Sequence, residues 1–491
     1  MTSRNTVVPA WATITVLSLC GVVSSLQFTL IIPSLPDLPA RLGVSADDAS
    51  WLVTATLLTS AVSTPIVARM ADMYGKRKML ILSLVAMVLG SVICAVFQSF
   101  AIMLVGRALQ GFASSLVAVG ISILRDELPP ERITFAVALM SATLGIGAAL
   151  GLPLSGILTD VFGWHSVFWF SALAGGLLTV GLSFLVRESQ VRTRGRFDIA
   201  GALLLSVVLV ALLLPVTKGG TWGWSSPAVL GLAALGVLAL AGWIPLELRV
   251  RQPMVDLRTA TRRPILLTNI ASVFVGMAMF INLLVTTQIL QQPEATGFGL
   301  GMSVFATGVA MVPSGLMMVL LSPVSGALLS RWGGRPTLML GCSIMAVTYA
   351  GRVYFSNNLA EVMIGSTLVG MGTALAFAAA PTLIMESVPV TETTSANGLN
   401  TLVRSIGTSI GSAVVALVVS TRVLEIDGVA YPAEAAVHTV LWIGMAATTV
   451  AIALICFVPR SRTRHPAGQR SQTGADGQVL AAVALTTRST R

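Results

Sequence analysis

Charged residues are scarce in this chain of 491 residues: Asp, Glu, Lys and Arg make up 10% of it, and hydrophobic residues 55%. Soluble domains carry about 25% charged residues, because water must solvate their whole surface. A chain so poor in charge cannot cover its exterior with polar groups. The composition therefore excludes a soluble enzyme or binding domain and indicates a protein whose exterior is solvated by lipid.

Signatures of metal, disulfide and nucleotide chemistry are also missing. The four cysteines lie singly in apolar runs, without a CxxC pair, which argues against a metal site or a disulfide framework. The sequence has no GxxxxGK[ST] loop to cradle a nucleotide. His165 and His438 stand apart at the ends of apolar runs. We therefore expect no enzymatic activity, no cofactor and no metal.

Long apolar segments are abundant instead, each close to the ~20 residues that a helix needs to cross a membrane. The first is too long for the apolar core of a signal peptide, so we expect it to be retained. Helices are the expected spanning element, because a backbone in lipid must satisfy its own hydrogen bonds. Fourteen spans are predicted, at 11–34, 49–69, 79–98, 101–124, 134–158, 164–186, 199–217, 228–248, 264–290, 303–329, 337–356, 361–385, 396–420 and 437–458.

The basic residues are distributed unevenly over the segments between these spans. If the N-terminus is cytoplasmic, 24 of the 30 Lys and Arg residues fall on the cytoplasmic side. Only Arg41, Lys218 and Arg422 fall in outer loops. Cytoplasmic loops of membrane proteins carry this excess. The pattern predicts a multi-pass protein of the inner (cytoplasmic) membrane with both termini in the cytoplasm, and it accounts for the net charge of +10 without a nucleic-acid partner.

The chain contains an internal repeat. Residues 68–78 (ARMADMYGKRK) and 326–336 (GALLSRWGGRP) share a pattern of small, apolar, glycine and basic positions, and each follows an apolar run. Gly147 and Gly151 align with Gly407 and Gly411 at nearly the same offset. These alignments predict two homologous halves that are related by a parallel repeat. The predicted fold is an all-α polytopic membrane protein with two pseudo-symmetric six-helix bundles (1–190 and 263–458), two inserted helices (191–262) and a disordered cytoplasmic tail (459–491).

Four stretches resemble motifs of the major facilitator superfamily, in particular its fourteen-span drug:proton antiporter branch. ARMADMYGKRK is similar to the family's loop motif GxLaDrxGrk, matching it at Asp72, Gly75, Lys76 and Arg77. A carboxylate at a helix end can bind the N-terminus of a neighbouring helix, and Gly75 permits the tight turn. The resemblance implies that this loop governs conformational switching. We call the contact between this carboxylate and the neighbouring helix N-terminus the latch. The second copy has Ser330 in the acidic position, so we expect the latch to be one-sided.

Two further motifs lie within predicted spans. LVGRALQGFASS (104–115) is similar to the family motif lxxxRxxqG and puts Arg107 and Gln110 inside a span, where a guanidinium needs a cavity or a partner. GIGAALGLPLSG (145–156) resembles the antiporter motif gxxxGPxxGG. There Gly147 and Gly151 allow close helix contact and Pro153 bends the helix. The resemblance implies coupling and gating roles for these residues.

The fourth stretch, LQFTLIIPSLP (26–36), resembles LDxTIVNVALP, but Gln27 stands where the family has an acid. None of the twenty carboxylates lies in the middle of a predicted span. Proton coupling normally needs a membrane-embedded group that loads and releases a proton. Either Asp126, Glu127 or Glu386, each near a helix end, does this work, or the coupling differs.

Substrate binding is expected near the midplane between the two halves. The candidates are polar or aromatic residues within or at the ends of spans: Gln27, Phe28, Trp51, Gln110, Asn269, Asn282, Gln288, Asn400 and Arg404. Asn400 and Arg404 are four residues apart and share a helix face. Since mid-span charges are all arginines, neutral, amphipathic or anionic compounds are favoured over strongly cationic drugs.

These observations predict a secondary active exporter of drug-like or hydrophobic small molecules, driven by proton antiport and working by alternating access. Its partners would be a small-molecule substrate, protons and membrane lipids, and the expected oligomeric state is a monomer because the repeat supplies both bundles. A lipid or cell-envelope precursor transporter of the same fold is the alternative. A non-transporting membrane sensor or assembly factor is a third hypothesis, which the absence of an appended soluble domain disfavours.

Overall fold

A computed structural model describes residues 9–35, 38–189, 191–193, 195–426 and 429–459, and every structural statement below concerns these residues. The predicted tail from residue 460 onward and the N-terminal Arg4 lie outside the described residues. The N-terminal half contains the helices α1 (Ala10–Thr29), α2 (Leu38–Leu42), α3 (Ala46–Tyr74), α4 (Lys76–Val96), α5 (Phe100–Gln110), α6 (Ser115–Glu127), α7 (Pro130–Phe162) and α8 (Ser166–Leu185).

Three helices follow before the second half: α9 (Ile199–Trp222), α10 (Pro227–Arg249) and the short α11 (Leu257–Ala260). The C-terminal half contains α12 (Arg263–Gln291), α13 (Val304–Leu320), α14 (Ser322–Trp332), α15 (Gly334–Arg352), α16 (Leu359–Ser387), α17 (Thr393–Thr421) and α18 (Glu434–Cys456). Short 3-10 turns occur at Ile32–Ser34, Gly111–Ser114, Glu294–Thr296 and Val390–Glu392. The predicted all-helical fold is confirmed, apart from a small antiparallel hairpin of β1 (Val423–Ile426) and β2 (Val429–Pro432).

Twelve of the described helical segments are long and apolar enough to cross a membrane, and including the bent α7 gives up to thirteen. The prediction of fourteen spans is therefore confirmed at no more than thirteen positions. The remaining predicted span, 337–356, corresponds to α15, which is 19 residues long. It begins with Gly-Arg-Pro-Thr and ends at a buried arginine, Arg352, so it is less apolar than the other long helices.

The two halves pack alike. In the first, α1 packs on α7 and α8, and α4 packs on α8; in the second, α12 packs on α17 and α18, and α15 packs on α18. The halves meet where α3 lies against α17 and where α7 lies against α13, α14 and α16. The inserted helix α9 packs on α3 and α17, and α10 packs mainly on α9. The site between the halves is therefore bounded by α3, α7, α17 and the inserted α9.

The repeated loop has the same backbone form in both halves. Gly75 joins α3 to α4 with a φ of 119°, and Gly333 joins α14 to α15 with a φ of 81°. Residues with a Cβ rarely adopt positive φ, so glycine is required at both turns. The alignment of the two loop sequences thus corresponds to one structural device used twice.

Candidate functional site

A cavity of about 180 Å³ lies between the two halves. Its walls come from α1, α3, α6 and α7 on one side, from α12, α16 and α17 on the other, and from Leu213 and Thr217 of the inserted α9. Most of the lining is apolar, with three phenylalanines and several hydroxyl groups. Arg404 is the charged residue of the lining, and no carboxylate contributes to it. Such a cavity suits an amphipathic molecule rather than a multiply charged polar one.

Of the nine predicted substrate residues, Phe28 and Arg404 line this cavity. Asn282 lines a smaller neighbouring cavity of about 50 Å³, between α7, α12, α13 and α16. Asn400 turns away and donates hydrogen bonds to Asn269 and Ser272 of α12, joining α17 to α12. The others lie outside the lining of the central cavity: Gln27, Trp51, Gln110 and Gln288.

The sequence analysis named Arg404 but missed the rest of the polar stripe on α17. Thr401, Arg404, Ser405 and Thr408 line the cavity at spacings of three, four and seven residues, which place them on one helix face. That spacing, visible in the sequence, was the signal that could have found them. The phenylalanines Phe280 and Phe377 were missed as well, because an aromatic residue in an apolar run looks like any lipid-facing or core residue.

Arg107 is 2% exposed and joins three helices. Its Nε donates to the carbonyl of Leu52 on α3 at 2.9 Å, and both terminal nitrogens donate to the carbonyl of Gln27 on α1 at 3.2–3.3 Å. Gln110 accepts from it at 2.5 Å and in turn donates to Ser91. Since α1 ends at Thr29, the Gln27 carbonyl belongs to a helix C-terminus, whose partial negative charge stabilises a cation. The buried guanidinium is thus compensated without a carboxylate.

Arg352, at the end of α15, is also 2% exposed, and its partners are side chains. It donates to Asn282 Oδ1 and, at 3.1 Å, to Thr286 Oγ1, both on α12. Asn282 also donates to Ser366. Asn282, predicted to bind substrate, is therefore engaged in a polar cluster within the C-terminal half.

Asp72 belongs to the last turn of α3, contacts the N-terminal turn of α17 and is 1% exposed. One of its carboxylate oxygens accepts from the backbone N–H of Ser395 at 2.8 Å and from its hydroxyl at 2.7 Å. The N-terminus of a helix stabilises a carboxylate through its free N–H groups and its dipole. Asp72 thereby links the first half to the second at the end of the molecule that carries most of the basic residues, here called the basic end.

Lys76 and Asp126 form a buried ion pair beside this loop. Lys76 Nζ lies 2.6 Å from Asp126 Oδ2, and their side chains are 0% and 5% exposed. The hydroxyl of Ser189 donates to the same oxygen at 2.5 Å. Arg77 donates to the carbonyl of Ser183, and Glu188 accepts from the backbone N–H groups of Arg77 and Lys78. The loop is thus fixed to the ends of α6 and α8, and Asp126 is engaged rather than solvated.

Further hydrogen bonds at the basic end connect the first half, and the segment that follows α8, to the second half. Arg125 donates to Thr393, Thr394 and Ser122 share a hydrogen bond at 2.7 Å, and Thr193 donates to the carbonyl of Thr391 at 2.9 Å. These contacts were not predicted. Their sequence signal is the hydroxyl-rich run from Thr391 to Ser395, placed where α17 begins.

The glycines of α7 sit against α1. A Cβ on Gly147 would lie 2.3 Å from Ser25 Cβ, and one on Gly151 would lie 1.7 Å from Thr29 Oγ1. The helix bends by 43° between Gly147 and Ala149, close to Pro153, whose ring cannot donate to the preceding turn. Pro153 also contacts α13, where a Cβ on Gly308 would lie 2.8 Å from its ring. This stretch therefore shapes both the α1–α7 contact and the contact between the halves.

Trp51 belongs to a cluster at the opposite end of the molecule. Lys218 Nζ lies 5.0 Å from the centre of its ring and contacts Asp47 Oδ1 at 2.8 Å and Ser50 Oγ at 2.5 Å. Trp222 packs on Trp51 with the ring centres 6.0 Å apart. Lys218 was expected in an outer loop, but α9 continues to Trp222 and leaves it 2% exposed. The cluster attaches the inserted α9 to the start of α3.

Comparison with known proteins gives a consistent result. The sequence model described as Major Facilitator Superfamily matches residues 17–412 and 266–485. The chain is 30% identical over 392 residues to the multidrug resistance protein Stp of Mycobacterium tuberculosis, covering 79% of this chain and 72% of that protein. It is 27% identical over 420 residues to the tetracenomycin C resistance and export protein of Streptomyces glaucescens, covering 85% and 77%. The crystal structure of the human organic anion transporter MFSD10 (TETRAN) superposes with a TM-score of 0.64 at 16% identity, covering 91% of this chain and 99% of that one, which shows the fold alone.

Proposed function

Because the chain belongs to the major facilitator superfamily and is a multi-pass membrane transporter rather than an enzyme, we propose that it exports drug-like amphipathic small molecules across the cytoplasmic membrane. The transport works by alternating access coupled to proton antiport, in the manner of the fourteen-span drug:proton antiporters. In this assignment α15 also crosses the membrane and brings the number of spans to fourteen. Both termini are cytoplasmic, and the basic end faces the cytoplasm.

The central cavity is the observation that carries this proposal. It lies between two similarly packed halves, its lining is mostly apolar, and the rings of Phe28, Phe280 and Phe377 contribute to it. Apolar and aromatic walls bind varied amphipathic molecules through burial of their apolar area. The relatives named for multidrug resistance and tetracenomycin C export support an export direction.

The hydrogen bonds at the basic end support alternating access. Asp72 binds the start of α17, and the contacts of Ser122 and Arg125 with Thr394 and Thr393 also join the two halves. Thr193, in the segment after α8, adds a hydrogen bond to Thr391. A cytoplasmic opening of the cavity would have to break this set, whereas the closed arrangement keeps it. In this proposal these contacts are the element that changes between a closed and an open state.

Asp126 is the carboxylate best placed to couple a proton to this element. It is paired with Lys76, which also interacts electrostatically with Asp72. Protonation of Asp126 would remove the counter-charge of a lysine that is fully buried, and so destabilise the loop that carries the latch. Glu127 accepts from the backbone of Arg187 instead, and Gln27 holds no titratable group. In this proposal the proton-binding group lies at the end of α6, whereas the family motif has its acid on α1.

Efflux assays on loaded cells and inverted vesicles test the proposal. A fluorescent neutral amphiphile is followed with and without a protonophore, for wild type, Asp126→Asn and the matched control Glu131→Gln, whose carboxylate is exposed at the start of α7. We expect the protonophore to abolish wild-type efflux, Asp126→Asn to uncouple it from the gradient, and Glu131→Gln to behave as wild type. Efflux that survives collapse of the gradient, with Asp126→Asn silent, would contradict proton antiport and favour a facilitative or lipid-moving role.

A further inference from the structure

Four arginines within the described helices are buried, and they differ in their partners. Arg69, near the basic end of α3, is 8% exposed and interacts electrostatically with Glu392. The guanidinium of Arg107 binds two carbonyls and Gln110, and that of Arg352 binds Asn282 and Thr286. Arg404 is 8% exposed, and in the part of the chain that the structure describes it donates no side-chain hydrogen bond. Its contact is with the ring of Phe377, 4.6 Å from the guanidinium carbon. Arg404 thus differs from Arg69 in having no acidic neighbour, and its donors are left for another molecule.

The surroundings of Arg404 contain no counter-charge. The cavity lining includes no carboxylate, and α17 carries none between Thr393 and Thr421. The neighbouring hydroxyls of Ser405 and Thr408 donate to backbone carbonyls of their own helix. They therefore offer lone pairs rather than protons to the cavity. The guanidinium is the strong donor of the site, and it remains uncompensated.

A buried cation of this kind favours an anion for two reasons. An unpaired charge in a medium of low dielectric is unfavourable, and an opposite charge within contact distance offsets that cost. The planar guanidinium also binds carboxylates, sulfonates and similar oxyanions through two parallel hydrogen bonds. A cationic ligand in the same cavity would be repelled, with no acid to bind it.

We propose that the central cavity selects organic monoanions: an acidic group binds Arg404, and an aromatic or apolar body packs among Phe28, Phe280 and Phe377. This inference rests on the proposed function for its biological meaning, and it names the substrate class of that site. It assigns to Arg404 a specificity-determining contact and leaves Arg107 and Arg352 as structural cations. It also makes export electrogenic, since an anion leaving the cytoplasm moves along an inside-negative potential.

Binding to the purified full-length protein in detergent tests the site directly. The probes are 2-naphthoate, 2-naphthamide and 2-naphthylmethylammonium, which share one ring system and differ in charge. Calorimetry or fluorescence anisotropy measures their affinities for wild type, Arg404→Gln, Arg404→Lys and the control Arg422→Gln. The control removes one positive charge from an exposed position near the end of α17.

We expect 2-naphthoate to bind wild type about tenfold or more tightly than 2-naphthamide, the range of a charge-assisted hydrogen bond, and the ammonium to bind most weakly. Arg404→Gln should remove the preference for 2-naphthoate over 2-naphthamide, Arg404→Lys should keep part of it, and Arg422→Gln should keep all of it. Equal affinities for the three probes in wild type, or a preference that persists in Arg404→Gln, would overturn the inference. If Arg404→Gln does not fold, the wild-type order of the probes and Arg404→Lys still decide.

The same probes separate this inference from the proposed function. Anion-selective binding without efflux of any probe from loaded cells would remove the export assignment and leave the site. Protonophore-sensitive efflux of 2-naphthamide without any preference for 2-naphthoate would leave the export assignment and remove the anion site.

Discussion

The two halves contain the same loop, but its side chains make different contacts in each half. In the first half, Asp72 precedes the turn at Gly75 and binds the start of α17 across the boundary. In the second half, Ser330 holds the equivalent position before Gly333, is exposed, and donates back to the carbonyl of Ala327 in its own helix. The backbone turn is kept and the charge is not. The repeat therefore fixes the geometry of the turn in both halves, while the hydrogen bond from the acidic position of the motif to the other half is made in the first half, among the described residues.

The arginines of the two halves show a related difference. Arg107 binds backbone carbonyls of α1 and α3, including one at a helix C-terminus. Arg352 binds rotatable side chains on α12, which continues unbroken to Gln291. Backbone carbonyls at a helix end have few other partners, whereas amide and hydroxyl side chains can turn to new ones. The first half thus depends more on its arginine.

The largest loss of stability is expected when alanine replaces the glycines that pack against the first helix of each half. A Cβ on Gly407 would lie 2.0 Å from the backbone oxygen of Val273, but on Gly151 it would meet the side chain of Thr29. Since a backbone cannot move aside as a side chain can, Gly407→Ala should destabilise the protein by about 1–3 kcal/mol and Gly151→Ala by less. Thermal unfolding midpoints in detergent measure this.

Gly181→Ala on α8 is the matched control, since nothing lies within 4 Å of a Cβ there. Alanine is the better helix former, so this variant should be neutral or slightly more stable. A larger loss for Gly151→Ala than for Gly407→Ala would show that the α1–α7 contact is the more rigid of the two.

A smaller effect is expected when the latch carboxylate is replaced, and it concerns the stability of the closed basic end. Asp72→Asn keeps the shape but loses the charge at the α17 N-terminus, which lowers the stability of the closed basic end by about 1–2 kcal/mol. Since 1.4 kcal/mol is a factor of about ten in a two-state equilibrium, the open population should rise roughly tenfold. Maleimide labelling of Asn397→Cys, a buried position on α17, reports that opening in a Cys456→Ser background.

Ser330→Ala serves as the matched change in the second half and should leave the labelling rate unchanged. If both substitutions raise labelling equally, the two loops act symmetrically and the comparison fails.

The smallest effect is expected at the buried arginines. Lysine keeps the charge but lacks the planar fork with which Arg107 reaches the carbonyls of Leu52 and Gln27 together, so Arg107→Lys gives up at least one of these contacts. We expect it to lower the free energy of unfolding by about 1 kcal/mol more than Arg352→Lys does. Chemical denaturation in mixed micelles compares the two, and equal losses would mean that side-chain acceptors are as constrained as backbone ones.

The sequence could predict the elements that depend on composition and local spacing. The helices follow from apolar runs, because lipid forces the backbone to bond within its own segment. The pairing of Gly147 and Gly151 with Gly407 and Gly411 follows from the repeat, and each pair does sit against the first helix of its half. The length of α9 and the lower apolarity of α15 set the limits of this reasoning, since Lys218 is buried inside α9 and Arg352 ends α15.

The direction in which a polar side chain points was decided by the tertiary structure alone. The sequence places Arg107, Arg352 and Arg404 in helices, but only packing shows that Arg404 faces the central cavity and that Arg107 caps α1. Trp51 and Asp126 likewise acquired partners, Lys218 and Lys76, far away in the chain. Local spacing shows which residues share a face of a helix. Which of these faces borders a cavity depends on contacts between distant segments, and local spacing does not encode those contacts.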